Sequence, residues 1–172
     1  MTKTLVIGLG NPILGDDGVG WKVAEQVQRY IKADARFQMP IRLMGSKTVS
    51  HVSSVEVDYA ALGGLSLMER LVGYQRVILV DSMETGQSPE GSVRVFPLDQ
   101  LSNPSASHST AVHDTSLMTA LEVGRKMGMN LPESVTVVAV EAKNVYDFSD
   151  ELSSPIAAAV PLAVQAVLEE LK

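Results

Sequence analysis

Residues 8–20 read Gly-Leu-Gly-Asn-Pro-Ile-Leu-Gly-Asp-Asp-Gly-Val-Gly, two adjacent carboxylates set among five glycines. The apolar run Thr4 to Gly10 leads into them, and Val19, Val23, Val27 and Ile31 follow at helical spacing. The segment therefore reads as a strand-to-helix loop, the place where open α/β sheets present their ligands. Carboxylates there suit a metal ion or a general base and would repel a phosphate. A dinucleotide fingerprint also needs a third glycine where this chain has Ile13. The plainer reading is that acids at a helix start cap its free amides and favour its positive dipole end. That reading suffices for one of the pair. Asp17 is the functional candidate, because the flanking glycines let the backbone turn tightly and carry a carboxylate to the sheet edge.

Further donors sit elsewhere along the chain. Asp58 closes the strand pattern Ser54-Val55-Glu56-Val57-Asp58, and its position fits a ligand and a strand-end turn residue equally. Asp81 follows the apolar run Val77 to Val80, where capping is the commoner role. Of His51, His108 and His113, the last stands where a polar, Ser-rich loop, Leu101 to Val112, meets an amphipathic helix. Its imidazole could be held rigidly there; His108 is a plausible neighbour and His51 a surface residue. Glu141 ends another strand pattern, with no chemistry that requires it.

The elements that must position these groups follow from periodicity. Strands are expected at Thr4 to Gly10, Ile41 to Met44, Ser53 to Asp58, Arg76 to Val80, Ser92 to Leu98 (behind a hairpin turn over Glu84 to Gly91) and Val135 to Val140. Helices are expected from Val19, around Leu67 to Val72, from a cap at Asp114 or Thr115, and from Ser154-Pro155. Helices alternating with strands, joined by right-handed crossovers, imply a three-layer α/β/α sandwich with a mostly parallel sheet and one antiparallel strand. With 172 residues and no internal repeat or linker, residues 1–172 are expected to form a single domain.

Composition narrows the chemistry. The absence of cysteine excludes disulfides, thiolate zinc, iron–sulfur clusters and a cysteine nucleophile, so any metal must use oxygen and imidazole. A net charge of −6 without a basic run argues against nucleic acid, and no apolar stretch is long enough for a membrane span. The first residues carry no apolar signal region, so export by that route is not expected and a cytoplasmic location is.

The loop from Gly8 to Gly20 resembles that of the [NiFe]-hydrogenase maturation proteases, whose first strand leads into Gly-x-Gly-Asn-x-(Leu/Ile)-x-x-Asp-(Asp/Glu)-x-(Ile/Val)-Gly and then a helix. The resemblance extends to Asp58, to Val112-His113-Asp114-Thr115-Ser116-Leu117, to Val138-Ala139-Val140-Glu141 and to Leu152-Ser153-Ser154-Pro155 before the last helix. It implies Asp17, Asp58 and His113 as catalytic and metal-binding residues, with Asp16 supporting the loop. The family carries Asp-Gly-Gly-Thr after its second strand, whereas here Tyr59 to Leu62 separate Asp58 from Gly63-Gly64, which makes Asp81 the substitute for Asp58. Peptidyl-tRNA hydrolases also open on Gly-Leu-Gly-Asn-Pro. Their continuation is a Thr-Arg-His-Asn-type segment, and this chain has Asp16-Asp17-Gly18-Val19-Gly20 instead.

The resemblance further implies the reaction: an endopeptidase removes the C-terminal tail of a nickel-loaded [NiFe]-hydrogenase large-subunit precursor, the divalent metal arriving with that substrate. Two carboxylates and an imidazole suit nickel, zinc or similar ions, and three protein ligands leave positions open for water or substrate. No separate cofactor site is expected. The competing readings are an aspartate acting as general base through water, a maturation factor that binds nickel or the precursor without cutting it, and a peptidyl-tRNA hydrolase-like enzyme.

Overall fold

The computed structural model describes residues 2–34, 54–102 and 112–172, the side chains of 102 and 112–116 excepted. Among these, five strands form one sheet: β1 (Lys3–Leu9), β2 (Ser54–Ala60), β3 (Arg76–Met83), β4 (Val93–Pro97) and β5 (Ser134–Glu141). Their order is β2-β1-β3-β5-β4. The first four in that order run parallel, and β4 lies antiparallel on the edge beside β5. Helices α1 (Val19–Ala33) and α4 (Ser154–Glu170) cover one face, and α2 (Gly64–Arg70) and α3 (Val112–Lys126) cover the other. This is the expected three-layer sandwich.

Side-chain alternation along each strand divides the core in two. Leu5, Ile7 and Leu9 of β1 join Leu67, Leu71, Leu117 and Leu121 under α2 and α3. Val6 joins Val19, Val23, Val27, Ile156 and Val160 under α1 and α4. Strands buried on both faces read as continuous apolar runs, which is why β1, β3 and β5 were legible. Helix α1 docks close against the sheet at Gly20, where an added Cβ would collide with the carbonyl oxygens of Leu9 and Val80. Glycine at that position lets the first loop begin directly over the ends of β1 and β3.

Three expectations need correction. The strand expected over Ser92 to Leu98 is present as Val93–Pro97, yet it does not form a hairpin with β3, because both edges of β3 are taken by β1 and β5. Gly91 and Glu141 instead bond across to seat β4 on β5, Gly91 N–H to Glu141 O at 2.8 Å and Glu141 N–H to Ser92 O at 2.9 Å. Strand β2 continues to Ala60, so Asp58 lies inside it. Helix α3 begins at Val112, ahead of the expected cap, so His113 is in its first turn. The candidate strand Ile41 to Met44, His51, His108 and residues 103–111 of the Ser-rich loop lie outside the described residues.

Candidate functional site

The candidate site is built from the loops that leave β1, β3 and β5 at their C-terminal ends. After β1 the chain turns at Gly10, whose φ of 107° is favourable only for glycine and where a Cβ would overlap the carbonyl oxygen of Asp17. Residues Gly15–Gly18 then form one 3-10 turn leading into α1. Gly10 thus lets the two limbs of the loop touch, and that contact fixes where Asp17 points.

Asp16 and Asp17 have opposite surroundings. Asp16 is buried, and its carboxylate accepts the Ser153 amide at 2.7 Å and the Ser153 hydroxyl at 2.8 Å. It ties the first loop to the residue preceding α4, the supporting role that the resemblance implied. The carboxylate of Asp17 accepts the Asn11 amide on one oxygen at 2.6 Å and the Ser82 hydroxyl on the other at 3.2 Å. Each carboxylate oxygen has a second lone-pair direction, so these two contacts orient the group and leave it able to bind a cation. Ser82 is the residue after Asp81, at the end of β3, and Asp81 accepts the Ser82 amide at 2.9 Å.

Glu141, at the end of β5, is also buried and is saturated by the β3–β4 connection. Its carboxylate accepts the amides of Thr85 and Gly86 at 2.8 and 2.7 Å and the Thr85 hydroxyl at 2.7 Å. Three donors on one carboxylate make it a clamp that fixes the rim of the site next to Asp81 and Ser82.

Asp58 lies apart from this cluster. It pairs with Ile7 in β1, whereas Ser82 extends β3 two residues past the Gly8–Val80 pair, and β1 stands between β2 and β3. Strand geometry therefore separates Asp58 from Ser82 by about 10 Å along the strands and about 10 Å across them. Arg70, in the last turn of α2, holds Asp58 at 2.6 Å, and α2 descends from the strand ends towards their beginnings. That pull is away from Asp17. The neighbouring Tyr59 faces α1, stacks with Trp21 at 5.3 Å between ring centroids, and has its phenol pushed up chiefly by burial.

His113 is in the first turn of α3, on the same side of the sheet as Asp81, which alternates with Val77 and Leu79. Because α3 runs back towards the start of β5, its first turn comes at the end of the sheet where β1 and β3 finish. Among the described residues, no three histidine or acidic side chains gather closely enough to hold a metal ion. These residues supply an oriented carboxylate, Asp17, while Asp81, next in sequence to the Ser82 that orients it, is on the opposite, α3 side of the strand end. From sequence, Asp17 stands out as the functional acid and Asp16 as its support, whereas Asp81 is only the substitute for Asp58, Glu141 has no required chemistry, and Ser82, Ser153 and Thr85 pass unnoticed. Their common signal is a hydroxyl residue at a strand or helix end.

Comparison with known proteins assigns the lineage. The sequence profile of HycI, a hydrogenase maturation protease, matches residues 46–170. The hydrogenase expression/formation protein HupD of Rhizobium leguminosarum bv. viciae is 22% identical over 170 residues, spanning 99% of this chain and 74% of that protein. The hydrogenase maturating endopeptidase HybD from E. coli superposes with a TM-score of 0.71 at 19% identity, covering 99% of this chain and 92% of that one. The [NiFe] hydrogenase maturation protease HybD from Thermococcus kodakarensis superposes with a TM-score of 0.67 at 18% identity over the full length of both chains. The chain belongs to the hydrogenase maturation proteases, and is a processing endopeptidase.

Proposed function

We propose that this endopeptidase removes the C-terminal tail of a nickel-loaded [NiFe]-hydrogenase large-subunit precursor, recognising the metal that arrives with the substrate through Asp17, a second carboxylate and His113. The observation that carries this reading is the Asp17 carboxylate, oriented by the Asn11 amide and the Ser82 hydroxyl and, among the described residues, paired with no cation. Dipoles fix such a group in place while leaving its negative charge for an incoming ion.

For the second carboxylate, Asp81 is better supported than Asp58. Asp81 adjoins the serine that holds Asp17, and it faces the layer that contains α3. Asp58 lies two strands over and about 10 Å further back along the sheet from Ser82. An oxygen and imidazole donor set of this kind accepts nickel or zinc and does not choose between them, so selectivity would come from the loaded substrate. Once bound there, a divalent ion would supply charge stabilisation at the scissile carbonyl. This chain's own contribution is to fix the donors: Asn11 and Ser82 set the plane of Asp17, Asp16 ties the loop to Ser153, and Glu141 holds the opposite rim. A compartment holding unassembled precursor, the cytoplasm, is the matching location. Among the described residues, no helix is long and apolar enough to cross a membrane.

The experiment is to mix the protein with nickel-loaded and nickel-free precursor and follow the large subunit by mass. Shortening of the loaded form alone is the expected result. Cleavage of both forms would remove metal recognition from the reading, and binding without shortening would leave a maturation factor in its place.

A further inference from the structure

The segment between β5 and α4 crosses back over the first loop and is bonded to it along its length. Asp16 N–H donates to Asn144 O at 3.2 Å, Gly15 N–H to Ser149 O at 2.8 Å, and Ser149 N–H to Ile13 O at 3.1 Å. Leu14 and Ser149 thereby form a parallel bridge. That register places Ile13 and Phe148 next to one another on the two crossing segments. Both are exposed, Ile13 at 49% and Phe148 at 86%, and Tyr146 two residues earlier is exposed at 73%. The backbone beneath them is pinned: Ala142 and Val145 are buried in the α1–α4 layer, and Ser153 is held by Asp16.

A phenylalanine and a tyrosine held outward by a fixed backbone lose little conformational freedom when a partner covers them, which is what aromatic anchors of protein interfaces require. The same stretch carries Asp147, Asp150 and Glu151, all exposed, while its flanking base, Lys143, pairs with Glu90 at 3.6 Å. The apolar ledge is therefore rimmed by negative charge, and its complement is an apolar segment flanked by lysine or arginine. The ledge is joined through Gly15 and Asp16 to the loop that carries Asp17.

We propose that Ile13, Tyr146 and Phe148 form the docking surface for the folded body of the precursor, through an apolar, base-flanked segment separate from the cleaved tail. The identity of the occupant rests on the proposed reading of the substrate; the ledge itself does not depend on which carboxylates meet the metal. Anchoring on a segment bonded to the Asp17 loop would bring the body of the substrate to a fixed position relative to the site.

The test measures precursor cleavage by the full chain and by Phe148→Ser, Tyr146→Ser and the pair Asp147→Lys with Asp150→Lys. Each should raise KM about tenfold with kcat within about twofold, since precursor held at saturation still meets intact machinery. The wild-type KM should also climb with salt, and that dependence should weaken in the charge-reversed variant. Circular dichroism should superpose for all forms, because these side chains are outside the core. An unchanged KM in both aromatic variants overturns the docking surface while leaving the metal reading intact. Loss of a dimer in Phe148→Ser, seen by sedimentation with KM unchanged, overturns it in favour of a second copy of this chain. A raised KM in Phe148→Ser together with undiminished activity in Asp17→Asn would keep the ledge and discard the proposed site.

Discussion

Two regions of the same sheet concentrate carboxylates, and they are held by different partners. On the outer strand β2, Asp58 is ion-paired with Arg70 and Glu56 with Lys3, both pairs open to solvent, and Glu56 also accepts the hydroxyl of the half-buried Tyr74. At the ends of β1, β3 and β5, the described residues hold Asp16, Asp17 and Glu141 by backbone amides and the hydroxyls of Ser82, Ser153 and Thr85. The first arrangement neutralises charge where solvent already screens it, and contributes little. The second fixes negative charge by dipoles, in places largely withdrawn from water, and among the described residues no cation pairs with it. A region of the second kind can take up a cation without first breaking an ion pair.

The comparison breaks most sharply at Asp17. Asp17→Asn should lower cleavage of nickel-loaded precursor by about a hundredfold or more while leaving the fold intact, since a neutral amide retains the shape and loses the charge that the site exists to present. Asp81→Asn should act similarly, and Asp58→Asn should stay within a few-fold of wild type. If Asp58→Asn abolished cleavage and Asp81→Asn spared it, the surface region would be the working one.

Asp16 sharpens the contrast within the pair of adjacent acids. Asp16→Ala leaves the Ser153 amide and hydroxyl without their acceptor at a buried position, a loss worth about 1–3 kcal/mol. Urea unfolding should show that deficit, and Asp17→Ala should show a smaller one. A reversed order would mean that the loop depends on Asp17 for its shape.

Ser82 offers a finer probe, because it touches Asp17 and nothing in the substrate is required to explain it. Ser82→Ala should reduce cleavage by about tenfold through a carboxylate free to rotate, the usual cost of removing a group that orients a metal donor. Ser82→Thr, which restores the hydroxyl, should recover most of the loss. Titrating the inactive protein with nickel alone should show the same ranking of affinities, and equal affinities would reduce Ser82 to a packing role.

Much of this was readable from residue types. Glycines set around two acids announced the first loop, and apolar runs announced β1, β3 and β5, because local chemistry and burial act over a few residues. Periodicity could not say that β5 would insert between β3 and β4, since strand order is decided by crossovers and by which edges are already occupied. Nor could it separate Asp58 from Asp81. Both close apolar strand patterns, and only register, two strands apart, and the reach of Arg70 from α2 distinguish them. Ser82, Ser153 and Thr85 escaped because hydroxyls at strand and helix ends are common, and only the acceptor tells which of them hold a carboxylate. The carboxylates were visible as chemistry; what holds each one was a matter of tertiary structure.

The surface region makes the last and smallest prediction, one of pH. Burial first, then the hydrogen bond to Glu56 and the charges of Glu56 and Asp58, push the Tyr74 phenol up to about 12 from its ordinary 10. The same hydrogen bond, from the other side, holds the Glu56 carboxyl below its ordinary range. A raised tyrosine means that folding favours the protonated phenol. Its contribution is fully present below pH 10 and is lost as pH rises through about 12, when a phenolate would face two carboxylates. A lowered glutamate contributes above its ordinary 4.5 and loses that contribution as pH falls through its folded value. Tyr74→Phe should therefore melt below wild type at neutral pH, and the gap between the two proteins should close between pH 10 and 12 and narrow again in acid. Because Glu56 lies within β2 and Tyr74 in the connection that precedes β3, away from the C-terminal strand ends, cleavage near neutral pH should be unaffected by the substitution. A constant gap in Tm from pH 8 to 12 would show that the pair does not stabilise β2, and altered cleavage would show that the two carboxylate regions are coupled.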